Sequence, residues 1–270
     1  MLNNLKVLLP SVIEIAKKAG GSVMQLYAAK NLNIEYKTDH SPVTQADLAA
    51  HQIIQHGLEN LAIKLPILSE EGLAIPFAER NSWKSYWLID PLDGTKEFIH
   101  GTDEFTVNIC LVSQHEPMMG VVFVPARQEL FFAIKGDSAV WHKQGQNAEV
   151  ISIRHLDTTT LEPKLRVAVS RRHGASQKLQ RLLTKIENYD LIACGSALKI
   201  CLVAKGEADL YPRFGATSEW DTAAGQCILE AAGGEVLNLS GEKLSYNTKE
   251  SLVNTEFVAI SSREIFARLF

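Results

Sequence analysis

Apolar residues first recur along the chain at helical spacing. Between residues 5 and 29, Val12, Ile15, Ala16, Ala19 and Val23 fall on one face at steps of three and four, which predicts an amphipathic helix. Gly20-Gly21 is a place for that helix to weaken or kink. The polar segment YKTDHSPVT follows, in which Pro42 discourages helix at Ser41. Thr44 is then a suitable N-cap for a second helix, with Asp47 in its first turn and Ile54, Leu58 and Leu61 on its inner face. From residue 65 the period shortens. Apolar runs at 65–68, 86–89, 106–112, 120–124 and 130–134 read as strands. Turn signals at His115-Glu116-Pro117 and Pro125-Ala126-Arg127 separate the last three, which suits an antiparallel meander. A further strand is expected at 166–170. Beyond it, helices near 176–186, 197–204 and 222–232 alternate with strands at 191–194, 208–211, 235–237 and 257–260. The pattern divides the chain into an α+β half, residues 1–150, and an α/β half, residues 151–270.

Composition narrows the classes. In 270 residues, 46% are hydrophobic and 21% charged, which excludes a disordered chain, a collagen and a coiled-coil rod. The net charge is −4 and no basic block occurs, so nucleic acid is a poor partner, because its affinity comes largely from neutralised phosphates. A small anionic substrate stays open, since a metal or a helix end supplies positive charge locally. Cysteines stand at 110, 194, 201 and 227 with no C-x-x-C pair, which argues for buried thiols rather than a disulfide framework or zinc ribbon. The opening MLNNLKVLLPSVIEIAKKAGG lacks the parts of a secretory signal, and no segment has the roughly 18 apolar residues of a membrane helix. The expectation is a cytoplasmic protein with no integral membrane segment; peripheral association with the inner face of the membrane stays open.

The sharpest chemistry lies in Trp87-Leu88-Ile89-Asp90-Pro91-Leu92-Asp93-Gly94-Thr95. A strand ends and two carboxylates appear three residues apart around Pro-Leu. A tight turn there brings Asp90 and Asp93 to one cation and points the Leu92 carbonyl inward. Carboxylate and carbonyl oxygens are hard ligands, suited to Mg²⁺ or Mn²⁺ rather than zinc. Backbone N–H groups after Gly94-Thr95 suit a phosphate oxygen. By itself the segment reads equally as a surface turn. The haloacid-dehalogenase motif D-x-D-G does not fit, because two residues separate these aspartates. Other acids fall at element ends: Glu70 and Glu71 after an apolar strand, Asp47 in a first helical turn, and Asp221 where it reads as an N-cap of a small-residue helix.

Together SPVTQAD, LSEEG, WLIDPLDGTKEF and EWDTAAGQCILEAAGG resemble the inositol-monophosphatase superfamily of Mg²⁺-dependent, lithium-sensitive phosphatases. Lys96-Glu97, where inositol monophosphatases have x-Asn, together with YKTDHSPVT, AVSRRH and LYPRFGATSEWDTAAG, resembles its 3'(2'),5'-bisphosphate nucleotidases of the bacterial CysQ type. The resemblance implies a layered αβαβα sandwich. It also implies hydrolysis of the 3'-phosphate of adenosine 3',5'-bisphosphate to AMP in support of sulfur assimilation, with the 3'-phosphate of 3'-phosphoadenylyl sulfate as a further target. The alternative is an inositol monophosphatase or a broad sugar-phosphate phosphatase. By the same resemblance Glu70, Asp90 and the Leu92 carbonyl hold a first metal, and Asp90, Asp93 and Asp221 a second. A third Mg²⁺ leans on Glu70, Mn²⁺ substitutes and Li⁺ inhibits. Asp47 and Thr95 form the dyad that orients the attacking water, with Glu70 beside them. Asp93, Gly94, Thr95, Gly195, Ser196, Ala197 and Asp221 meet phosphate or substrate, and Glu71 stands outside the ligand set. Arg213, where inositol phosphatases carry an acid, is suited to a second phosphate, and Arg171 and Arg172 are further anion contacts. The partner is a small nucleotide bisphosphate, and the chain is expected as monomer or homodimer.

Overall fold

A computed structural model describes residues 2–29, 34–36, 42–156, 164–171 and 176–270. Residues 37–41 of YKTDHSPVT, with the expected helix break at Ser41, lie outside the described residues, as do Arg172 and His173. The first helix, α1 (Leu2–Ala29), runs unbroken past Gly20-Gly21. A side chain at Gly20 would strike Phe123 at 2.5 Å, so this glycine serves close packing on the sheet rather than a kink. After the two-residue strands β1 (Glu35–Tyr36) and β2 (Pro42–Val43), α2 (Gln45–Glu59) begins at the expected cap Thr44.

Seven strands then form one sheet in the order β3-β4-β5-β6-β7-β8-β9. These are β3 (Ile67–Ser69), β4 (Ser85–Asp93), β5 (Thr106–Ser113), β6 (Glu116–Val124), β7 (Glu129–Ile134), β8 (Ala139–Lys143) and β9 (Glu149–Ile151). Two short helices, α3 (Phe77–Arg80) and α4 (Thr95–His100), flank β4. The meander is two strands longer than the sequence suggests, because β8 and β9 are short, carry polar residues and offer little alternation. Both faces of the sheet are buried, and period-two alternation divides them. Trp87, Ile89, Val107, Ile109, Val121 and Phe123 join the cluster containing α1 and α2 residues, whereas Tyr86, Leu88, Cys110, Val112, Val122 and Val124 join a second cluster.

The rest of the chain supplies β10 (Leu165–Ser170), α5 (Gln177–Leu183), β11 (Tyr189–Cys194), α6 (Leu198–Ala204), β12 (Leu210–Arg213), α7 (Glu219–Ala231), β13 (Glu235–Asn238), β14 (Phe257–Ile260) and α8 (Arg263–Leu269). The C-terminal helix α8 is absent from the sequence expectation. A five-stranded sheet has the order β11-β10-β12-β14-β13, and it is mixed: β10 is parallel to β11 and β12, while β14 is antiparallel to β12 and β13. Helices α6 and α7 lie between the two sheets and share the second cluster with both. On the outer face, α5 and α8 pack against Val167, Val169, Leu210, Val258 and Ile260. The layers are therefore αβαβα, as the resemblance implied. All four cysteines are buried and unbridged.

Close approach in the middle layer is made at Gly120. A Cβ there would run into the Ala224 carbonyl oxygen and come within 2.9 Å of Cys227 Cβ, both on α7. We expect Gly120→Ala to destabilise the protein by about 1–3 kcal/mol through overpacking, read as a lower urea midpoint. An unchanged midpoint would mean that α7 can move off β6 at no cost.

Candidate metal centre and active site

The acidic motif is not the tight turn that the sequence suggests. Strand β4 continues through Asp93 with a bulge: Asp90 pairs with Asn108 and Asp93 with Thr106, so three steps on β4 match two on β5. Pro91 supplies no N–H to the ladder within this bulge, where a sheet tolerates it. Asp90 Oδ1 accepts a hydrogen bond from Leu92 N at 3.1 Å, while Oδ2 is buried without a hydrogen-bond partner among the described residues. The parallel neighbour β3 aligns Ser69 with Ile89, and the next N–H, of Glu70, donates to the Ile89 carbonyl at 3.3 Å. That register puts Glu70 beside Asp90.

Two capping boxes present the other acids. At the start of α2, Asp47 Oδ2 accepts from Thr44 N at 2.8 Å and from Thr44 Oγ1 at 2.6 Å. Its Oδ1 accepts from Thr95 Oγ1 at 3.1 Å, so one carboxylate caps a helix and orients a hydroxyl. The same hydroxyl lies 3.4 Å from the Leu92 carbonyl. At the start of α7 the N-cap is Ser218, not Asp221; Asp221 closes the box by accepting from Ser218 N at 2.8 Å. The helix starts at Glu219, three residues earlier than periodicity suggests, because Asp221 lies inside its first turn.

Glu70, Asp90 and Asp221 each bring a carboxylate oxygen within 4.8 Å of the others. Burial raises the Asp90 carboxyl well above its ordinary range, and the charges of Glu70, Asp93 and Asp221 raise it further. Asp221 is raised well above its range by burial, then by Asp93 and Glu70. Burial lifts Asp93 to about 6 against the opposing pull of Lys199 and the Ala197 N–H. Burial also raises Asp47, against the hydrogen bonds from Thr44 and Thr95. Clustered carboxylates of this kind repel unless cations neutralise them. An all-oxygen donor set with an unpartnered buried carboxylate oxygen fits a hard divalent cation.

Asp93 stands beside this trio rather than in it. Its Oδ2 accepts from Ala197 N at 2.5 Å and lies 3.5 Å from Asn108 Nδ2. The turn before α6 is thereby committed within the protein: Ala197 N–H goes to Asp93 and Gly195 N–H to Glu104 at 2.9 Å, so these two groups are already paired. Ser196 holds a left-handed backbone (φ 49°), and Gly94 (φ 90°) precedes α4.

Asp93, Ser196, Ala197, Arg213 and Asp221 line one pocket, together with Arg171. Arg213 donates to Ser170 Oγ and to the Ala216 carbonyl, both at 2.9 Å, while its Nε is buried and unpartnered among the described residues. Lys199, absent from the sequence expectation, also lines the pocket. It is 5% exposed, donates to the Ser196 carbonyl at 2.7 Å and stands 5.2 Å over the Tyr211 ring. A lone cation in the otherwise apolar LKICLVA helix was the available signal. Glu104 is likewise missing from the sequence reading; nothing in its local sequence sets it apart.

The chain matches the model of the inositol monophosphatase family over residues 4–267. It is similar to proteins named 3'(2'),5'-bisphosphate nucleotidase CysQ. The one from Shigella flexneri is 42% identical over 93% of this chain and 98% of its own. The one from Salmonella typhimurium is 43% identical at the same coverage. Among solved structures, CysQ from Bacteroides thetaiotaomicron, described as a bacterial member of the inositol monophosphatase family, has a TM-score of 0.79. It is 37% identical, over 93% of this chain and 96% of that one.

Proposed function

This chain belongs to the inositol monophosphatase family, and we propose that it is a 3'(2'),5'-bisphosphate nucleotidase, a metal-dependent phosphatase that releases the 3'-phosphate of adenosine 3',5'-bisphosphate. One observation carries this reading. Acids Asp93 and Asp221 line the same pocket as cations Lys199, Arg171 and Arg213, which suits a substrate with one phosphate to cleave and a second to recognise. The nucleotidase names borne by relatives at 42–43% identity support it over an inositol monophosphatase.

Mg²⁺ is the proposed ion, with Mn²⁺ as substitute and Li⁺ as inhibitor. Glu70, Asp90, Asp221 and the Leu92 carbonyl would hold it, with Asp93 joining through its second oxygen. Bound there, divalent cations supply Lewis acidity and charge neutralisation for an in-line displacement at phosphorus. The Thr95 hydroxyl donates its hydrogen bond to Asp47 Oδ1, so its lone pairs are turned to accept a hydrogen bond from the attacking water and fix its direction. Arg213 and Lys199 hold the second phosphate. Gly94, Ser196 and Ala197 complete the walls around the substrate.

Phosphate release from adenosine 3',5'-bisphosphate and from inositol 1-phosphate, measured side by side with Mg²⁺, tests the reading. We expect kcat/KM to favour the bisphosphate at least ~10-fold and added Li⁺ to inhibit. Preference for inositol phosphate would overturn the nucleotidase assignment. Thr95→Ala is expected to lower kcat on the order of 10²-fold with KM nearly constant. An unchanged kcat would reduce Thr95 to the first residue of α4. No helix among the described residues is long and apolar enough to cross a membrane; a cytoplasmic location is the reading we propose.

A further inference from the structure

Glu104 lies outside both the acid cluster and the Thr95–Asp47 pair, yet it is a carboxylate only 3% exposed. Four donors converge on it. Oε1 accepts from Arg127 Nη2 at 2.9 Å and Arg171 Nη2 at 2.6 Å. Oε2 accepts from Arg171 Nε at 2.7 Å and Gly195 N at 2.9 Å. Its backbone carbonyl accepts from Ser196 Oγ at 2.5 Å. One residue at the entry to β5 thus ties together the segment after β6, the end of β10 and the turn between β11 and α6. Burial by itself would raise its carboxyl; the hydrogen bonds and charge of Arg171, the Gly195 N–H and Arg127 lower it overall, so it stays ionised.

Two arginines converge on this one carboxylate, and of the two only Arg171 reaches the pocket wall, where Glu97 also stands near it. Arg171 lines that pocket, and its side chain is 45% exposed. An arginine that exposed ordinarily samples many rotamers, and ordering it on a ligand costs affinity. The two-point grip of Glu104 removes that freedom beforehand, because a guanidinium fork bound at two nitrogens has one orientation. The Glu104 contacts use Arg171 Nε and Nη2, so the Nη1 donors lie outside that grip and are suited to an anion. Stability alone does not call for this arrangement, since buried ion pairs are often no more stabilising than apolar residues of the same shape.

We propose that Glu104 is a positioning residue for the second phosphate of the substrate, fixing Arg171 and the Gly195–Ser196 turn in one arrangement at the pocket wall. The proposal rests on the nucleotidase reading above. Its test is kcat and KM for adenosine 3',5'-bisphosphate and for adenosine 3'-monophosphate, with Mg²⁺, in wild type, E104Q, R171A and the double variant. E104Q and R171A are each expected to raise KM for the bisphosphate about tenfold, the size of one lost charge-assisted hydrogen bond, while KM for the monophosphate moves less than about twofold. The double variant is expected to be no worse than the worse single one, because both remove the same contact. A Glu104 that only supports the fold would lower kcat for both substrates alike and leave the KM ratio intact, which overturns the proposal. If E104Q does not fold, E104D, which shortens the side chain and breaks the two-point grip, decides in its place: an unchanged KM ratio overturns it, and a selective rise that is non-additive with R171A upholds it. Additive losses in the double variant overturn it as well. A wild type indifferent to the second phosphate overturns the nucleotidase reading itself, and this proposal with it; a wild-type preference that the variants leave intact overturns the Glu104 assignment alone.

Discussion

Asp90→Asn is expected to cut phosphate release by roughly 10³-fold or more while the metal-free protein becomes harder to unfold. The two effects have one cause. Asp90 is a carboxylate buried to 1% exposure, facing the charges of Glu70, Asp93 and Asp221, with Oδ2 unpartnered among the described residues. Without a cation, that charge opposes folding. Asparagine keeps an oxygen for the Leu92 N–H and has nearly the same shape, so it removes the repulsion and leaves the local hydrogen bond. Relief on the order of 1–3 kcal/mol is expected, or about 2–4 °C per kcal/mol for a chain of this size. Calorimetry in chelator and turnover in Mg²⁺ read both halves. Loss of activity together with loss of stability would mean that Asp90 supports the fold rather than a cation. Near-normal kcat at saturating Mg²⁺ would remove Asp90 from the ligand set.

Chelation is the second large effect. Excess chelator is expected to bring activity to background and to lower the unfolding temperature; Mg²⁺ is expected to restore both. The sign follows from linkage, since a cation that binds the folded chain at about 100 times its dissociation constant adds about 2.7 kcal/mol. Glu70, Asp90 and Asp221 come from segments that are separate in sequence, and their oxygens meet only in the folded chain. The unfolded chain therefore has no comparable site. In Asp90→Asn most of the Mg²⁺-dependent shift is expected to vanish. Activity that survives thorough chelation would argue for a reaction supported by Lys199, Arg171 and Arg213 alone.

The sequence by itself determined α1, α2, the central strands of the meander and the acids at element ends, but not α8, β8 or β9. Those features are local. Val12, Ile15, Ala16, Ala19 and Val23 define a helix face whatever they touch, and Thr44 with Asp47 forms a capping box within four residues. Trp87 and Ile89 alternate with Tyr86 and Leu88 because a strand buried on both faces must divide its side chains between two cores. The acidic motif was legible as residue types and spacing, but not as geometry. Whether Asp90-Pro91-Leu92-Asp93 forms a turn or a bulged strand depends on β5, which pairs with it from beyond α4. Only the tertiary structure decided which charges are buried and what they bind. The partners of Glu104 lie 23, 67 and 91 residues away, so no local pattern could announce it. Lys199 is one cation in an apolar helix until the fold sets it beside Asp93 and over Tyr211. Local spacing fixes an element because its hydrogen bonds close within a few residues. A site built from carboxylates and cations depends on desolvation and on distances between distant segments, which exist only after the layers have packed.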